Sequence, residues 1–162
     1  MKLFTTLIVL AVLFAGFVVY QKSNDANREK GSRAKKSSVI VYKTATCGCC
    51  GNFATYLQRN GYDVEIVNYK KDEELSQKKR ELGVPSKLDS CHTTVFKAEK
   101  YFVEGHIPIE ATEKLLAEKP SIKGIGMPGM PSASPGMPGA KTEPFNVSQV
   151  DFDDKITPYV TL

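Results

Sequence analysis

Hydrophobic positions fall in two regimes along this chain: one nearly unbroken run at the start, then short periodic stretches from residue 38 onward. The run extends from Leu3 to Tyr20, interrupted only by Thr5, Thr6 and Gly16, and Lys2 precedes it. Residues 21–37 are polar, charged and without periodicity, as a flexible tether should be. The compact part begins at Ser38. Val39-Ile40-Val41-Tyr42 is a β-branched run that reads as a buried strand, and a cysteine-rich loop follows at once. Asn52 to Gly61 places Phe53, Tyr56 and Leu57 on one helical face and ends in Asn-Gly, a helix stop. Tyr62 to Val67 alternates as a second strand, and Asp72 to Leu82 is helical in composition, closing at Gly83. Thr93–Phe96 and Lys100–Val103 read as adjacent strands. Ile107-Pro108-Ile109 leads into a helix running through Leu115-Leu116, with Pro108 tolerated in its first turn.

The resulting order is β-α-β-α-β-β-α, a βαβ unit, a linking helix and a ββα unit, which is the order of a thioredoxin-like α/β fold. From Pro120 to Ala140 the chain changes to Gly, Pro, Met and Ser, with Met127-Pro128-Gly129 echoed by Met137-Pro138-Gly139. So many prolines and glycines exclude helix or central strand there. Phe145–Phe152 and Ile156–Thr161 read as a closing β-hairpin that adds strands at a sheet edge. The expected organisation is therefore a leader or anchor at 1–20, a basic linker at 21–37 and a thioredoxin-like domain at 38–119. A Met/Pro/Gly-rich loop at 120–140 and a hairpin extension at 141–162 complete it.

Charge narrows the function. The net +4 is matched by the segment from Lys22 to Lys36 alone, where six Lys/Arg face Asp25 and Glu29, so the folded part is close to neutral. A nucleic-acid partner is not expected; the basic run reads as a solvated linker able to touch anionic lipid. A positive residue followed by an apolar run is an export signal. It lacks a convincing small-x-small cleavage site, and eighteen helical residues would span about 27 Å. An uncleaved anchor is therefore slightly favoured over a removed signal peptide. Either way the domain is expected outside the cytoplasm: periplasmic, secreted or anchored to the inner membrane.

The four cysteines are placed unevenly, three in Cys47-Gly48-Cys49-Cys50 and the fourth at Cys91. Cys47 and Cys50 form a C-x-x-C at a helix start, where unpaired N–H groups and the helix dipole favour thiolate. Alone, that is a dithiol redox motif, and a thiol–disulfide oxidoreductase using Cys47 and Cys50 is the rival reading. Cys49 changes the balance: a third thiol inside the pair invites misbridging, whereas a soft metal gains a sulfur ligand within one turn. Cys91, in a loop before a strand, can face the other three in such a fold. Four thiolates suit copper(I), zinc or an iron–sulfur cluster. Adjacent Cys49 and Cys50 point different ways, which suits a multinuclear Cu(I) cluster with bridging sulfurs better than one tetrahedral zinc. A pair of disulfides, Cys47–Cys50 with Cys49–Cys91, remains open as a metal-free oxidised form.

Other candidates carry less. His92 reads as a loop residue, an outer ligand or a proton acceptor, and His106 as a hydrogen-bonding residue before a helix. Met127, Met130 and Met137 read either as Cu(I) delivery or shielding groups or as flexible packing over the cysteines. There is no phosphate loop, no Ser/His/Asp arrangement and no paired carboxylates on one helix face, so the expectation is a binding protein and not an enzyme, with redox handling of copper left open.

The runs VYKTATCGCCGNFATYLQRNGYDV, GVPSKLDSCHTTV, YFVEGHIP and GIGMPGMPSASPGM together resemble the CopG-type copper-resistance family of bacteria, formerly a domain of unknown function. The resemblance covers roughly residues 39–139. It implies an exported thioredoxin-like domain whose multicopper thiolate cluster is held by Cys47, Cys49, Cys50 and Cys91. It also implies a role in copper homeostasis alongside efflux or other copper-handling proteins.

Overall fold

The computed structural model describes residues 16–17, 20–21 and 36–162, so the expected leader or anchor and most of the linker lie outside the described residues. Among the described residues, no helix is long and apolar enough to cross a membrane.

The compact unit Lys35–Leu162 is built on one seven-stranded sheet of order β2-β1-β3-β4-β5-β6-β7. Its elements are β1 (Ser38–Thr44), α1 (Gly48–Arg59), β2 (Asp63–Tyr69), α2 (Asp72–Glu81), β3 (His92–Phe96), β4 (Phe102–Glu104), α3 (Ile109–Glu118), β5 (Gly124–Gly126), β6 (Asn146–Val150) and β7 (Ile156–Thr161). A 3-10 turn at Ser86–Leu88 leads into the loop before β3. β1 runs parallel to β2 and antiparallel to β3, and β3 is antiparallel to β4. The βαβ and ββα units expected from the hydrophobic pattern are thus present in one mixed α/β sheet. The closing hairpin extends it, as expected.

Alternation along the strands sorts side chains into two layers. Val39, Val41 and Val103 pack with Phe53, Ala54 and Leu57 of α1 and with Ala111 and Leu115 of α3. Phe102, one residue before Val103, joins Val84, Leu88 and Val150 in a second cluster. Each large side chain fully buried in this way contributes about 1.5–3 kcal/mol.

Two elements depart from expectation. α1 begins at Gly48, a full turn before Asn52, so Cys49 and Cys50 are helical and not in a loop. The exclusion of a central strand from 120–140 is also corrected: β5 pairs parallel with β4 and antiparallel with β6. The reason is steric. A Cβ on Gly124 would stand 2.2 Å from the Phe102 carbonyl oxygen, so only glycine admits this approach of β5 to β4, and the nearest prolines, Pro120 and Pro128, both lie outside the strand.

Candidate metal centre

The site is assembled at the N-terminus of α1, where the strand β1 delivers the chain into a helix with no acidic residue in its first turn. Cys47 occupies the N-cap position with extended backbone, and its side chain makes no capping hydrogen bond. The sulfur is therefore left beside the unpaired N–H groups of the first turn, a setting that favours negative charge. Successive helical residues are rotated about 100°, so Cys50 turns into the core and is fully buried while Cys49 remains half-buried. Cys47 and Cys50 are joined as a disulfide across a Cα–Cα distance of 5.4 Å. Cys49 and Cys91 are free thiols. Half of the disulfide pairing considered from sequence is therefore present.

Cys91 arrives from the other unit of the fold. The 3-10 turn at Ser86–Leu88 brings the chain back to the head of α1, and the Cys50 sulfur lies 3.6 Å from the Cys91 carbonyl oxygen. Cys47 Sγ and Cys49 Sγ are 3.5 Å apart. All four sulfurs lie within 4.8 Å of one another, so every cysteine singled out in the sequence converges at one place.

Two histidines join from the far side. The ligand atoms of Cys91, His92 and His106 also lie within 4.8 Å of one another. His106 Nε2 is 3.0 Å and His92 Nδ1 3.5 Å from the Cys91 sulfur. His106 Nδ1 donates to the Pro135 carbonyl at 2.7 Å, which assigns its proton to Nδ1 and leaves the Nε2 lone pair facing Cys91. This is the tautomer that a backbone carbonyl imposes on a metal-binding histidine. His92 Nε2 is buried and makes no hydrogen bond, an orphaned polar atom on the imidazole whose Nδ1 faces Cys91. Phe53 of α1 backs both imidazoles, with ring centroids 4.4 Å from His92 and 5.6 Å from His106.

The Met/Pro/Gly segment straps across the site. Besides the Pro135 contact, Gly136 O accepts from Asn52 at 3.4 Å and Gly129 O accepts from the Ser90 hydroxyl at 2.8 Å. Gly136 sits so close to α1 that a Cβ there would stand 2.8 Å from the Cys49 carbonyl oxygen. Its methionines do not act as a set. Met127 is part of the hydrophobic core, contrary to its reading as part of a loose loop, while Met137 is half-buried and Met130 is exposed.

Burial governs protonation here. It pushes the Cys91 thiol up to about 12, with Cys49 adding to the rise. It pushes His92 well down, reinforced by His106, Lys79 and Lys43, and it lowers His106 against the pull of the Pro135 carbonyl. Both imidazoles are therefore neutral at pH 7, the form that binds a metal, whereas Cys91 holds a proton that a metal must displace. The donor set is four sulfurs and two imidazole nitrogens, soft and borderline groups suited to copper or zinc and not to magnesium or calcium.

His106 was read from the sequence as a hydrogen-bonding residue. It makes that bond, but it also faces Cys91. His92 is not a loop residue but the first residue of β3, fully buried, and its Nδ1 faces Cys91 as an outer ligand would.

A family described as "Protein of unknown function, DUF411" matches residues 88–137. Two solved structures of a copper resistance protein copG, in Form 1 and Form 2, are each 32% identical to the chain. They superpose with TM-scores of 0.69 and 0.67, covering 78% of this chain and 97% and 98% of theirs. No curated protein matches the chain.

Proposed function

The chain belongs to the family of the copper resistance protein copG, and from that premise we propose that it binds copper as its cargo, in copper resistance or homeostasis. The observation that carries the reading is the convergence of four sulfurs within 4.8 Å at the head of α1. Cys47, Cys49, Cys50 and Cys91, in their reduced form, are the sulfur ligands, with His106 and His92 as nitrogen donors beside Cys91. Two of the sulfurs are neighbours in the chain and a third lies two residues away, which favours bridging thiolates and hence more than one Cu(I) over a single tetrahedral zinc. The N-terminal apolar run supports a place outside the cytoplasm, and copper-efflux or other copper-handling proteins are the expected exchange partners.

Anaerobic Cu(I) titration of the reduced chain tests this. More than one copper bound per chain, lost on Cys49→Ser, is the expected result. Tight uptake of one zinc with weak uptake of copper would replace it with a zinc-stabilised module.

A second reading has one observation in its favour: Cys47 and Cys50 are joined as a disulfide. The same pair can interconvert copper states, since two Cu(II) ions each gain one electron as two thiolates become one disulfide. A thiol–disulfide oxidoreductase acting on proteins would instead reduce insulin, and would keep doing so with Cys49→Ser.

A further inference from the structure

Glu104 is fully buried, and neither the copper ligands nor the core explains it. Its carboxylate accepts three hydrogen bonds. Oε1 takes one from the Ser90 backbone N–H and one from Lys79 Nζ, each at 2.8 Å, and Oε2 takes one from the Thr93 hydroxyl. Ser90 and Thr93 are the residues that bracket Cys91 and His92. One carboxylate thus holds both ends of the two-residue segment that carries a thiol and an imidazole of the site. Glu104 faces Thr93 across the β3–β4 ladder, and its own strand continues through Gly105 to His106. Lys79, reaching in from α2, supplies the balancing charge and also donates to Asp89 at 2.5 Å and to the Ser90 carbonyl. Every donor and acceptor of this group therefore ends on the loop that leads into Cys91 or on the start of β3.

A buried ion pair is poor evidence of a stabilising role, because apolar replacements of similar volume are often neutral or better. What such a pair does supply is direction: fixed hydrogen bonds to named atoms in a low-dielectric setting. We propose that Glu104, neutralised by Lys79, is a positioning residue that clamps Ser90 and Thr93 and thereby sets where Cys91 and His92 stand relative to His106 and the α1 cysteines. The clamp serves the copper site proposed above and rests on that reading for its purpose, but the placement of Cys91 can be measured without copper.

The test uses the full chain, reduced and metal-free, with iodoacetamide modification followed at each cysteine by mass spectrometry. Glu104→Gln keeps the volume but replaces an acceptor oxygen by an NH2 that confronts Lys79 or Thr93. Cys91 is expected to react several-fold faster while Cys47, Cys49 and Cys50 keep their rates. Cu(I) affinity, read by competition with bicinchoninate, is expected to fall about tenfold to a hundredfold, as when groups that orient ligands are removed. The exposed Glu65→Gln serves as the control that changes neither. An unchanged Cys91 rate, or four rates that rise together, overturns the clamp. Should Glu104→Gln not fold, the milder Thr93→Val removes one bond without adding a charge or a donor, and is judged by the same selectivity at Cys91. If the unaltered chain binds no Cu(I), the copper reading fails while the labelling still decides the clamp.

Discussion

His106 Nε2 stands 3.0 Å from the Cys91 sulfur, across fifteen residues of sequence and one strand pair of the sheet. Because Nδ1 is committed to the Pro135 carbonyl, the lone pair nearest the sulfur belongs to a neutral imidazole. The sulfur cluster of α1 and the imidazoles of the ββα unit therefore share Cys91 as their common member.

His106 should act as a copper donor and not only as a structural hydrogen-bonding group. His106→Ala is expected to lower Cu(I) affinity at least about tenfold in bicinchoninate competition, with an unchanged far-ultraviolet spectrum. His106→Asn can still reach the Pro135 carbonyl, yet places no imidazole at Cys91, and should bind copper as weakly as the alanine variant. Full affinity in both would remove His106 from the donor set.

Cys49 separates metal binding from disulfide chemistry. The Cys47–Cys50 bond spans one turn of α1 and does not involve Cys49, so Cys49→Ser should still form it on oxidation. The copper content of the same variant should drop, because one of four sulfurs within 4.8 Å is gone. Thiol counting and metal analysis on one sample read both. Retention of full copper content would make Cys49 a bystander.

The strands and helices that were legible in the sequence are those with a clear hydrophobic period: Val39–Tyr42, the Phe53/Leu57 face, the closing hairpin. The cysteine convergence was legible too, because C-x-x-C at a helix start and a fourth cysteine before the third strand are both local signals. What escaped is non-local. β5 is three residues, two of them glycine, and it can approach β4 because Gly124 carries no side chain to meet Phe102. Met127 looked like loop until the sheet closed over it. The double role of His106 depends on the Pro135 carbonyl, twenty-nine residues away, which no periodicity reveals.

The strap over the site should be sensitive to a single methyl group. Gly136 has φ +87, and a Cβ would meet the Cys49 carbonyl oxygen and the Phe53 nitrogen, each at 2.8 Å. Gly136→Ala therefore combines left-handed strain with a clash against helix backbone that cannot yield, costing about 1–3 kcal/mol beyond the strain. Gly129 has φ +77 with open space around it, so Gly129→Ala should show only the strain, about 1–2 kcal/mol. Urea unfolding of the two reduced variants measures the difference. Equal losses would show that the strap does not bear on α1.

Tyr62 should give the fold a distinct alkaline limit. Its hydroxyl is buried and makes no hydrogen bond. Burial pushes its ionisation up to about 12, with Glu113, Glu99 and Tyr56 adding to the rise. The native chain thus keeps a proton that the unfolded chain gives up near pH 10. Between pH 10 and about 12 the unfolded state binds fewer protons, so stability is fully present below pH 10 and falls as the pH rises through that window. Tyr62→Phe removes both the ionisable group and the unpaired hydroxyl. It is expected to raise stability at pH 7 by about 1 kcal/mol, the cost of a buried unsatisfied group. The loss between pH 10 and 12 should also shrink, leaving the part due to Tyr56, Tyr69 and Tyr159, whose ionisations are likewise raised. Urea midpoints of both proteins at pH 7, 10 and 11.5 supply the comparison. Parallel curves for the two proteins would mean that the Tyr62 hydroxyl is already solvated in the native state.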